Sequence, residues 1–209
     1  TEQVIRSQVD LRHGFYTRNA VDLIIGRAKI LNKNTIEVTE ASGIKKVYST
    51  EYILIATGSR PYQPPDIDFT HPRILNNDKL LSLKENPRTI TIYGAGVIGC
   101  EYASIFRGLS IKINLINTRS QLLSFLDDEI VDALSYHLRE NGVLIRHSEE
   151  YDKVEADEHG VTLYLKSNKQ IRSEYLLWAQ GRTGNSQNLG LEELGITMDS
   201  RGSIPVNNY

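Results

Sequence analysis

The chain has 209 residues, of which 40% are hydrophobic, and a formal net charge of −2 at pH 7. A chain of this length can bury one substantial core or two small ones, and a charge so close to zero gives no field that attracts nucleic acid or an anionic membrane. A single cysteine excludes an internal disulfide, and no apolar run is long enough to cross a bilayer. We therefore expect a cytoplasmic protein that binds neither nucleic acid nor membrane. Because the sequence starts at Thr1 and not at Met, we also expect a piece of a longer protein.

The first third of the chain is predicted to form one helix followed by a small antiparallel sheet. Residues 1–19 place Val4, Ile5, Val9, Leu11 and Phe15 roughly on one side, which predicts an amphipathic helix packed on a core. Short β-rich runs then follow, several of them separated by turn-forming residues, at 22–25, 28–31, 35–38, 45–48 and 52–55.

The last of these runs leads into small residues, Ala56-Thr57-Gly58-Ser59. Small residues after a buried strand allow a ligand or another segment to approach the backbone closely. The next stretch, 62–66, contains Pro64 and Pro65, which fix φ and lack an amide donor. We place a domain boundary in this linker.

The strongest motif of the chain lies between residues 89 and 116. A β-branched run at 89–93 leads into Gly94-Ala95-Gly96-Val97-Ile98-Gly99, a helical pattern follows to Gly108, and a second apolar strand covers 111–116. In such a dinucleotide fingerprint the first glycine makes the turn, the second admits a pyrophosphate and the third lets the helix pack on the sheet. The start of the helix then offers unpaired N–H groups and a partial positive charge to the phosphates.

The end of the second strand bears on the choice between NAD(H) and NADP(H). NAD-specific sites carry an acid there for the adenine ribose, but this strand ends in Asn117-Thr118-Arg119. Neutral Asn117 repels neither cofactor, Thr118 is a short hydroxyl, and Arg119 either pairs with a 2′-phosphate or stays in solvent. The site is therefore predicted to accept both dinucleotides.

The remainder of the chain alternates between helix and strand signals. A helix is predicted from 127–129 to the stop at Gly142, with strands at 143–146, 150–155, 161–166, 170–173 and 175–179. The segments 52–61 and 175–185 share one pattern, in which aliphatic residues lead to small residues, a glycine and an arginine. Two strands that end in this way suggest two nucleotide-binding folds that share a junction.

Three further observations concern possible chemistry. Glu101 is either an acid favoured at a helix start or a carboxylate directed at the nicotinamide. Cys100 is interpreted as a small buried hydrophobe. The five histidines show no metal-ligand spacing, so no metal site is predicted.

Three segments together resemble the flavin-dependent pyridine nucleotide–disulfide oxidoreductases: Ile-Ala-Thr-Gly-Ser-Arg-Pro at 55–61, Gly-Ala-Gly-Val-Ile-Gly-Cys-Glu at 94–101, and Gly-Arg-Thr-Gly-Asn at 181–185. The resemblance implies an α/β fold, with a Rossmann-like NAD(P)-binding domain of three-layer β-β-α character flanked by pieces of an FAD-binding domain. Residues 1–66 would be a partial FAD-binding domain, 67–181 the NAD(P)-binding domain and 182–209 a return segment of the former. Ala56, Thr57 and Gly58 would then pass near the flavin, Gly181 would lie near the nicotinamide, and Glu101 would stand at the nicotinamide–flavin contact.

Within this family the likeness is greatest to enzymes that move hydride from NADPH through FAD to NAD⁺. We expect the 209 residues to bind dinucleotides but to be inactive alone, because most of the FAD site would lie outside them. The longer parent would be a homo-oligomer through a further domain. Two alternatives are a piece of a disulfide reductase similar to dihydrolipoamide dehydrogenase, and a non-catalytic module that senses NAD(H).

Overall fold

The computed structural model describes residues 2–208. Gly58–Asn185 forms one compact unit, and the residues before and after it form a second.

The unit built from the chain ends contains α1 (Glu2–Arg18) and three strands, β1 (Arg27–Asn32), β2 (Thr35–Thr39) and β3 (Lys45–Ser49). The strands form an antiparallel sheet in chain order, so the predicted antiparallel sheet is confirmed for three of its five runs. The C-terminal part of the chain joins β1 through a hydrogen bond of 2.7 Å from Ile30 N to the carbonyl of Leu189. An ion pair of 2.9 Å links Lys29 to Glu193.

Three predictions for this unit were wrong. The helix α1 forms, but its apolar side chains do not pack: those named in the sequence analysis are 46% to 64% exposed. Residues 22–25 and 52–55 are not strands. A run with high β propensity forms a strand only when a neighbouring strand pairs with its backbone. Among the described residues, no strand pairs with either of these two runs. Leu54 accordingly stands 92% exposed.

The Gly58–Asn185 unit has an α/β fold. Its elements, in chain order, are β4 (Ser59–Pro61), β5 (Ile74–Leu75), α2 (Asn77–Leu80), β6 (Thr89–Tyr93), α3 (Val97–Gly108), β7 (Lys112–Ile116), α4 (Asp128–Glu140), β8 (Leu144–Arg146), β9 (Tyr151–Asp157), β10 (Gly160–Leu165), β11 (Gln170–Ser173), β12 (Tyr175–Trp178) and β13 (Arg182–Gly184). The predicted limits of β6 and β7 and the predicted end of α3 agree with the structure to within one residue. The start of α3 differs, because the helix begins at Val97, inside the glycine fingerprint, and not after Gly99.

A five-stranded parallel sheet with the order β5-β12-β6-β7-β8 is the centre of this unit. Side chains alternate across it: Ile90 and Ile92 of β6 pack against α3 and α4, and Tyr93 packs on the other face against Val161 and Trp178. That second face is covered by the antiparallel sheet β9-β10-β11. Three layers result, helices, parallel sheet and antiparallel sheet, so the predicted α/β class with β-β-α character is confirmed.

The two segments with similar sequence patterns, 52–61 and 175–185, meet at their ends. Strands β4 and β13 pair antiparallel, with Arg60 opposite Thr183. The Asn185 N–H donates to the carbonyl of Gly58 at 3.0 Å, and Tyr62 N–H donates to the carbonyl of Gly181 at 3.0 Å. The shared sequence pattern suggests a common junction but does not predict that the two segments hydrogen-bond to each other.

Candidate dinucleotide-binding site

The glycine turn lies where the carboxyl ends of three parallel strands meet. Gly94 N–H donates to the carbonyl of Ile116 at 2.9 Å, and Ala179 N–H donates to that of Tyr93 at 2.8 Å, which ties β6 to β7 and β12. Gly94 has φ of +113°, and a Cβ there would stand 2.4 Å from the carbonyl oxygen of Ala179. A Cβ on Gly99 would stand 1.8 Å from the carbonyl oxygen of Gly94. Both positions therefore exclude any side chain for reasons of packing alone.

Gly96 differs from the other two glycines of the fingerprint. It is exposed, it precedes α3 as the N-cap with φ of −79°, and a Cβ built on it would meet no atom within 4 Å. No side chain caps the helix at this residue, so the first N–H groups of the helix lack the partner that a capping side chain would provide. The fold does not need glycine here. A methyl group at this position would instead stand in open space at the start of α3, where the open N–H groups and the helix dipole suit a phosphate.

Asn117 lies at the end of β7 as predicted, but its side chain does not face outward. The residue is 4% exposed, and its Nδ2 donates to the carbonyl of Gln121 at 2.8 Å. Its Oδ1 accepts from the N–H of Arg119 at 3.2 Å. The amide group of Asn117 thus folds the loop 117–121 onto itself. Exposed in that loop are Thr118 and Arg119, and the Arg119 guanidinium donates to Ser124 Oγ at 2.6 Å.

His147 is a residue of this region that sequence analysis missed. It follows β8, and its Nδ1 lies 3.1 Å from Asn117 Nδ2 while its Nε2 lies 3.1 Å from Nη2 of Arg139 on α4. Burial lowers the pKa of His147 below its usual value, the Arg139 charge lowers it further, and the carbonyl of Arg119 acts in the opposite direction. This contact has no local sequence signal and follows from the sheet order. Ile116 pairs with Arg146 in the sheet, so positions 117 and 147, which follow adjacent parallel strands, lie side by side.

Glu101 lies further along α3 than predicted. The helix begins at Val97 and has no acid in its first turn, so the interpretation of Glu101 as a helix-start acid loses its basis. Its carboxylate is exposed and makes no hydrogen bond or ion pair with any described residue. Cys100 is buried, and its thiol donates to the carbonyl of Ala95 at 3.5 Å. Burial and the nearby Glu101 carboxylate raise the pKa of the Cys100 thiol to about 11, so the thiol stays protonated and serves packing.

The remaining residues expected at the site are also open to approach. Gly181 is exposed, has φ of +87° and follows β12 after Ala179 and Gln180. Gly58 is exposed with φ of +68°, and nothing lies within 4 Å of a Cβ built there. Ala56 and Thr57 are exposed and belong to the other compact unit.

Among residues 2–208, no group of three or more His, Cys, Asp or Glu side chains is arranged to hold a metal ion. Within the same range, no helix combines the length and apolar character that a membrane crossing requires.

A parallel sheet with an open helix start at its carboxyl edge, reached through a glycine turn, defines a Rossmann-type dinucleotide-binding unit. The chain belongs to the pyridine nucleotide-disulphide oxidoreductase family, whose signature matches residues 3–209. Membership of this family implies FAD and NAD(P)H as cofactors.

Relatives of known name cover the whole chain. It is 58% identical over 208 residues to the soluble pyridine nucleotide transhydrogenase of Hahella chejuensis, a match over 100% of this chain and 45% of that protein. It is 56% identical over 209 residues to the enzyme of the same name from Pseudomonas aeruginosa, with the same coverage. The chain therefore spans less than half the length of these relatives.

Solved structures agree with the fold. The flavoprotein disulfide reductase RclA from Escherichia coli, described as HOCl-induced, matches with a TM-score of 0.79 and 30% identity over 90% of this chain and 42% of its own. LpdA from Mycobacterium tuberculosis matches with a TM-score of 0.91 over 98% of this chain and 46% of its own. At 22% identity, the second likeness concerns the fold alone.

Proposed function

We propose that residues 67–181 bind a pyridine dinucleotide, with its pyrophosphate over Gly94–Gly99 and against the start of α3. The single observation that carries this proposal is Gly96. Its backbone is exposed, its φ of −79° suits any residue, and no atom lies within 4 Å of a Cβ built there. A glycine that the fold does not require, at the uncapped start of a twelve-residue helix, is explained by a ligand that must approach the backbone.

The ribose end of the site supports the use of both dinucleotides. The exposed residues that directly follow Asn117 are Thr118 and Ser120, which bear hydroxyls, and the cationic Arg119. A carboxylate at this place would repel the 2′-phosphate of NADP(H), and the structure has a neutral, buried Asn117 there instead. Arg119 is placed to pair with a 2′-phosphate, and its present partner, the Ser124 hydroxyl, is neutral and readily exchanged.

We infer that this unit is the NAD(P)-binding part of a flavoprotein transhydrogenase that moves hydride from NADPH through FAD to NAD⁺. The identity of 55% to 58% with proteins of that name over the full chain supports this assignment. When bound, the nicotinamide and the flavin supply the hydride chemistry, while the protein binds and orients them. Residues 1–66 and 182–209 are proposed as parts of the FAD-binding domain, since the open backbone at Gly58 fits a close approach by the flavin.

The chain's own residues have separate parts in this proposal. The α3 N–H groups hold the pyrophosphate, and the 117–121 loop receives the adenosine ribose. Gly181, open at the end of β12, lets the nicotinamide lie against the backbone. The exposed, unpaired carboxylate of Glu101 is assigned to the nicotinamide–flavin contact, where a hydrogen-bond acceptor would orient the ring.

A disulfide reductase is the second candidate, favoured by the 30% identity to RclA, which is named a flavoprotein disulfide reductase. The identity to the transhydrogenases is nearly twice as high and extends over the entire chain. A module that only senses NAD(H) has no specific observation in its favour.

Dinucleotide binding is tested by titration calorimetry of the 209-residue chain with NADH and NADPH. We expect both to bind, with dissociation constants within about tenfold of each other, or about 1.4 kcal/mol. Absence of binding by both, in a sample whose circular dichroism shows the α/β fold, would contradict the proposal.

The transfer activity is tested in a chimera. The 209 residues replace the matching segment of the Hahella chejuensis enzyme, and reduction of a NAD⁺ analogue by NADPH is followed by absorbance. We expect the chimera to retain FAD and to transfer hydride at a rate within about tenfold of the parent enzyme, a barrier change of about 1.4 kcal/mol. A chimera that holds FAD but transfers no hydride between dinucleotides would refute the assignment as a transhydrogenase.

Cellular location and assembly remain proposals of the same kind. A cytoplasmic location fits a chain with one buried cysteine and no disulfide. The parent protein is proposed to be a homo-oligomer through a domain outside the 209 residues. Cell fractionation and size-exclusion chromatography with light scattering on the chimera test these two statements.

A further inference from the structure

His147 lies between two groups that only donate hydrogen bonds. Nδ2 of Asn117 is 3.1 Å from its Nδ1, and the Arg139 guanidinium is 3.1 Å from its Nε2. A neutral imidazole has one acceptor nitrogen, so it can accept from only one of these neighbours at a time. An imidazolium ion has no acceptor and can accept from neither.

The burial of the two donors decides which of them donates a hydrogen bond to the imidazole ring. Asn117 is 4% exposed, so an amide N–H without a partner could not be hydrated, which is costly. Arg139 is exposed and can turn to water. The favoured arrangement places the acceptor at Nδ1, where it receives the second N–H of Asn117. The first N–H is already donated to the carbonyl of Gln121 at 2.8 Å.

We infer that neutral His147 is a positioning residue for the adenosine end of the dinucleotide site. It acts through Asn117, which holds the loop 117–121 by its hydrogen bonds to Gln121 and from Arg119 N–H. This inference rests on the proposed function, since it concerns the ribose end of the same site. It adds a pH dependence to binding that no residue of the glycine fingerprint would produce.

The groups that face His147 all bear on its protonation. Arg139 of α4 is a cation and opposes a second positive charge, and burial acts in the same direction. The carbonyl of Arg119, from the 117–121 loop, is the one neighbour that favours the protonated ring. The net result is a pKa for His147 below its usual value of about 6.5.

Protonation of His147 removes the acceptor and leaves the buried N–H of Asn117 opposite an N–H of the ring. Rotation of the Asn117 amide group would not restore the hydrogen bonding. Its oxygen would then face the carbonyl of Gln121, and its nitrogen would face the N–H of Arg119. The loop 117–121 must therefore rearrange when the pH falls through the pKa of His147, and dinucleotide affinity should fall with it.

The test is NADH binding by the 209-residue chain, measured by titration calorimetry from pH 8 to pH 5.5. NADH is the probe because it lacks the 2′-phosphate, a group that itself titrates near pH 6. Loss of one neutral hydrogen bond predicts that wild-type affinity falls about three- to tenfold across this range, with a midpoint below 6.5.

The decisive variant is His147→Asn, whose amide oxygen can accept from Asn117 at every pH of the series. We expect His147→Asn to bind NADH at pH 8 within about threefold of wild type and to lose most of the decrease toward pH 5.5. His159→Asn is the matched control, because His159 lies in the turn between β9 and β10 and should keep the wild-type profile.

A second measurement does not depend on the variant folding. In wild-type protein labelled with ¹⁵N, the side-chain amide signals of Asn117 should shift with the same midpoint as the ring of His147. The inference is overturned if these signals do not titrate, or if folded His147→Asn keeps the wild-type pH profile. Failure of the wild type to bind NADH at pH 8 would instead overturn the proposed function, so the two failures are distinguishable.

Discussion

Substitution of Gly96 by alanine tests whether glycine is needed at this position for ligand binding or for folding. The backbone of Gly96 has φ of −79° and ψ of −168°, an extended conformation open to every residue. A Cβ added there meets no atom within 4 Å. Alanine is somewhat worse than glycine as an N-cap, but it also reduces the entropy of the unfolded chain. We expect these two effects to keep the free energy of unfolding within about 1 kcal/mol of wild type.

The effect on binding should be larger. The added methyl group occupies the open space at the start of α3 and keeps a phosphate oxygen from the N–H groups of the helix. Loss of one hydrogen bond to a charged group costs about 1.5–3 kcal/mol, which corresponds to a loss of affinity of about 10- to 150-fold. Because both dinucleotides share the pyrophosphate, the loss should be the same for NADH and NADPH.

The assay combines titration calorimetry with unfolding in urea. Gly108→Ala is the matched control: Gly108 is exposed at the other end of α3, and a Cβ there also meets nothing within 4 Å. The two glycines are separated by about 18 Å along the helix. Gly108→Ala should therefore leave both affinities unchanged. Gly99→Ala should instead destabilise the fold, since its Cβ would lie 1.8 Å from the carbonyl oxygen of Gly94.

The reasoning would be refuted if folded Gly96→Ala bound both dinucleotides as tightly as Gly108→Ala. A loss confined to one dinucleotide would also contradict it, because the pyrophosphate is common to both.

Three further predictions concern other residues. Arg119→Ala should weaken NADPH more than NADH, by about tenfold, because its exposed guanidinium is the nearest candidate for the 2′-phosphate; equal losses in calorimetry would remove that role. Asn117→Glu should shift the ratio of the two affinities against NADPH by about tenfold, since a carboxylate at this strand end repels the 2′-phosphate; an unchanged ratio would contradict the account of the ribose end. Glu149 is buried, and hydrogen bonds of 2.5 Å from Lys169 and 2.6 Å from Ser167 lower its pKa from about 4.5. Its contribution to stability is thus present above about pH 4.5 and is lost as the pH falls through the lower value of the folded state. In urea unfolding, the difference in free energy of unfolding between wild type and Glu149→Gln should decrease from pH 7 to pH 3. A difference that stays constant over this range would contradict the prediction.

The part of the fold that follows from local signals was predictable from the sequence. The β-branched residues of β6, the glycines and the period of α3 each specify their own element, and the limits of β6 and the end of α3 agree with the structure. The start of α4 was equally visible, because Asp127 caps the helix by accepting from the N–H of Glu129 at 3.0 Å.

Features that depend on distant partners were not predictable in the same way. Strands β4 and β13 pair across more than 120 residues, so neither has a local signal strong enough to identify it. The opposite error occurred at 52–55, where an apolar run of high β propensity has no strand beside it among the described residues. The α1 helix shows the same limit, since its periodicity specifies an apolar side but not what covers that side.

The site contains one feature that was predictable from the sequence and one that was not. The need for an open backbone at Gly96 could be inferred from spacing alone, and the structure has that opening. The orientation of Asn117 could not, because its side chain is held by Gln121 and by His147, thirty residues further along the chain. The pairing of Ile116 with Arg146 connects the two positions, and only a correct sheet order provides that register.

A crystal structure of the chain with NADPH bound would test the central claim most directly. The account predicts density for the pyrophosphate within hydrogen-bond distance of the backbone at Gly96 and the first turn of α3, with the 2′-phosphate beside Arg119. A dinucleotide bound elsewhere, or a glycine turn closed by its own side chains in the complex, would contradict it.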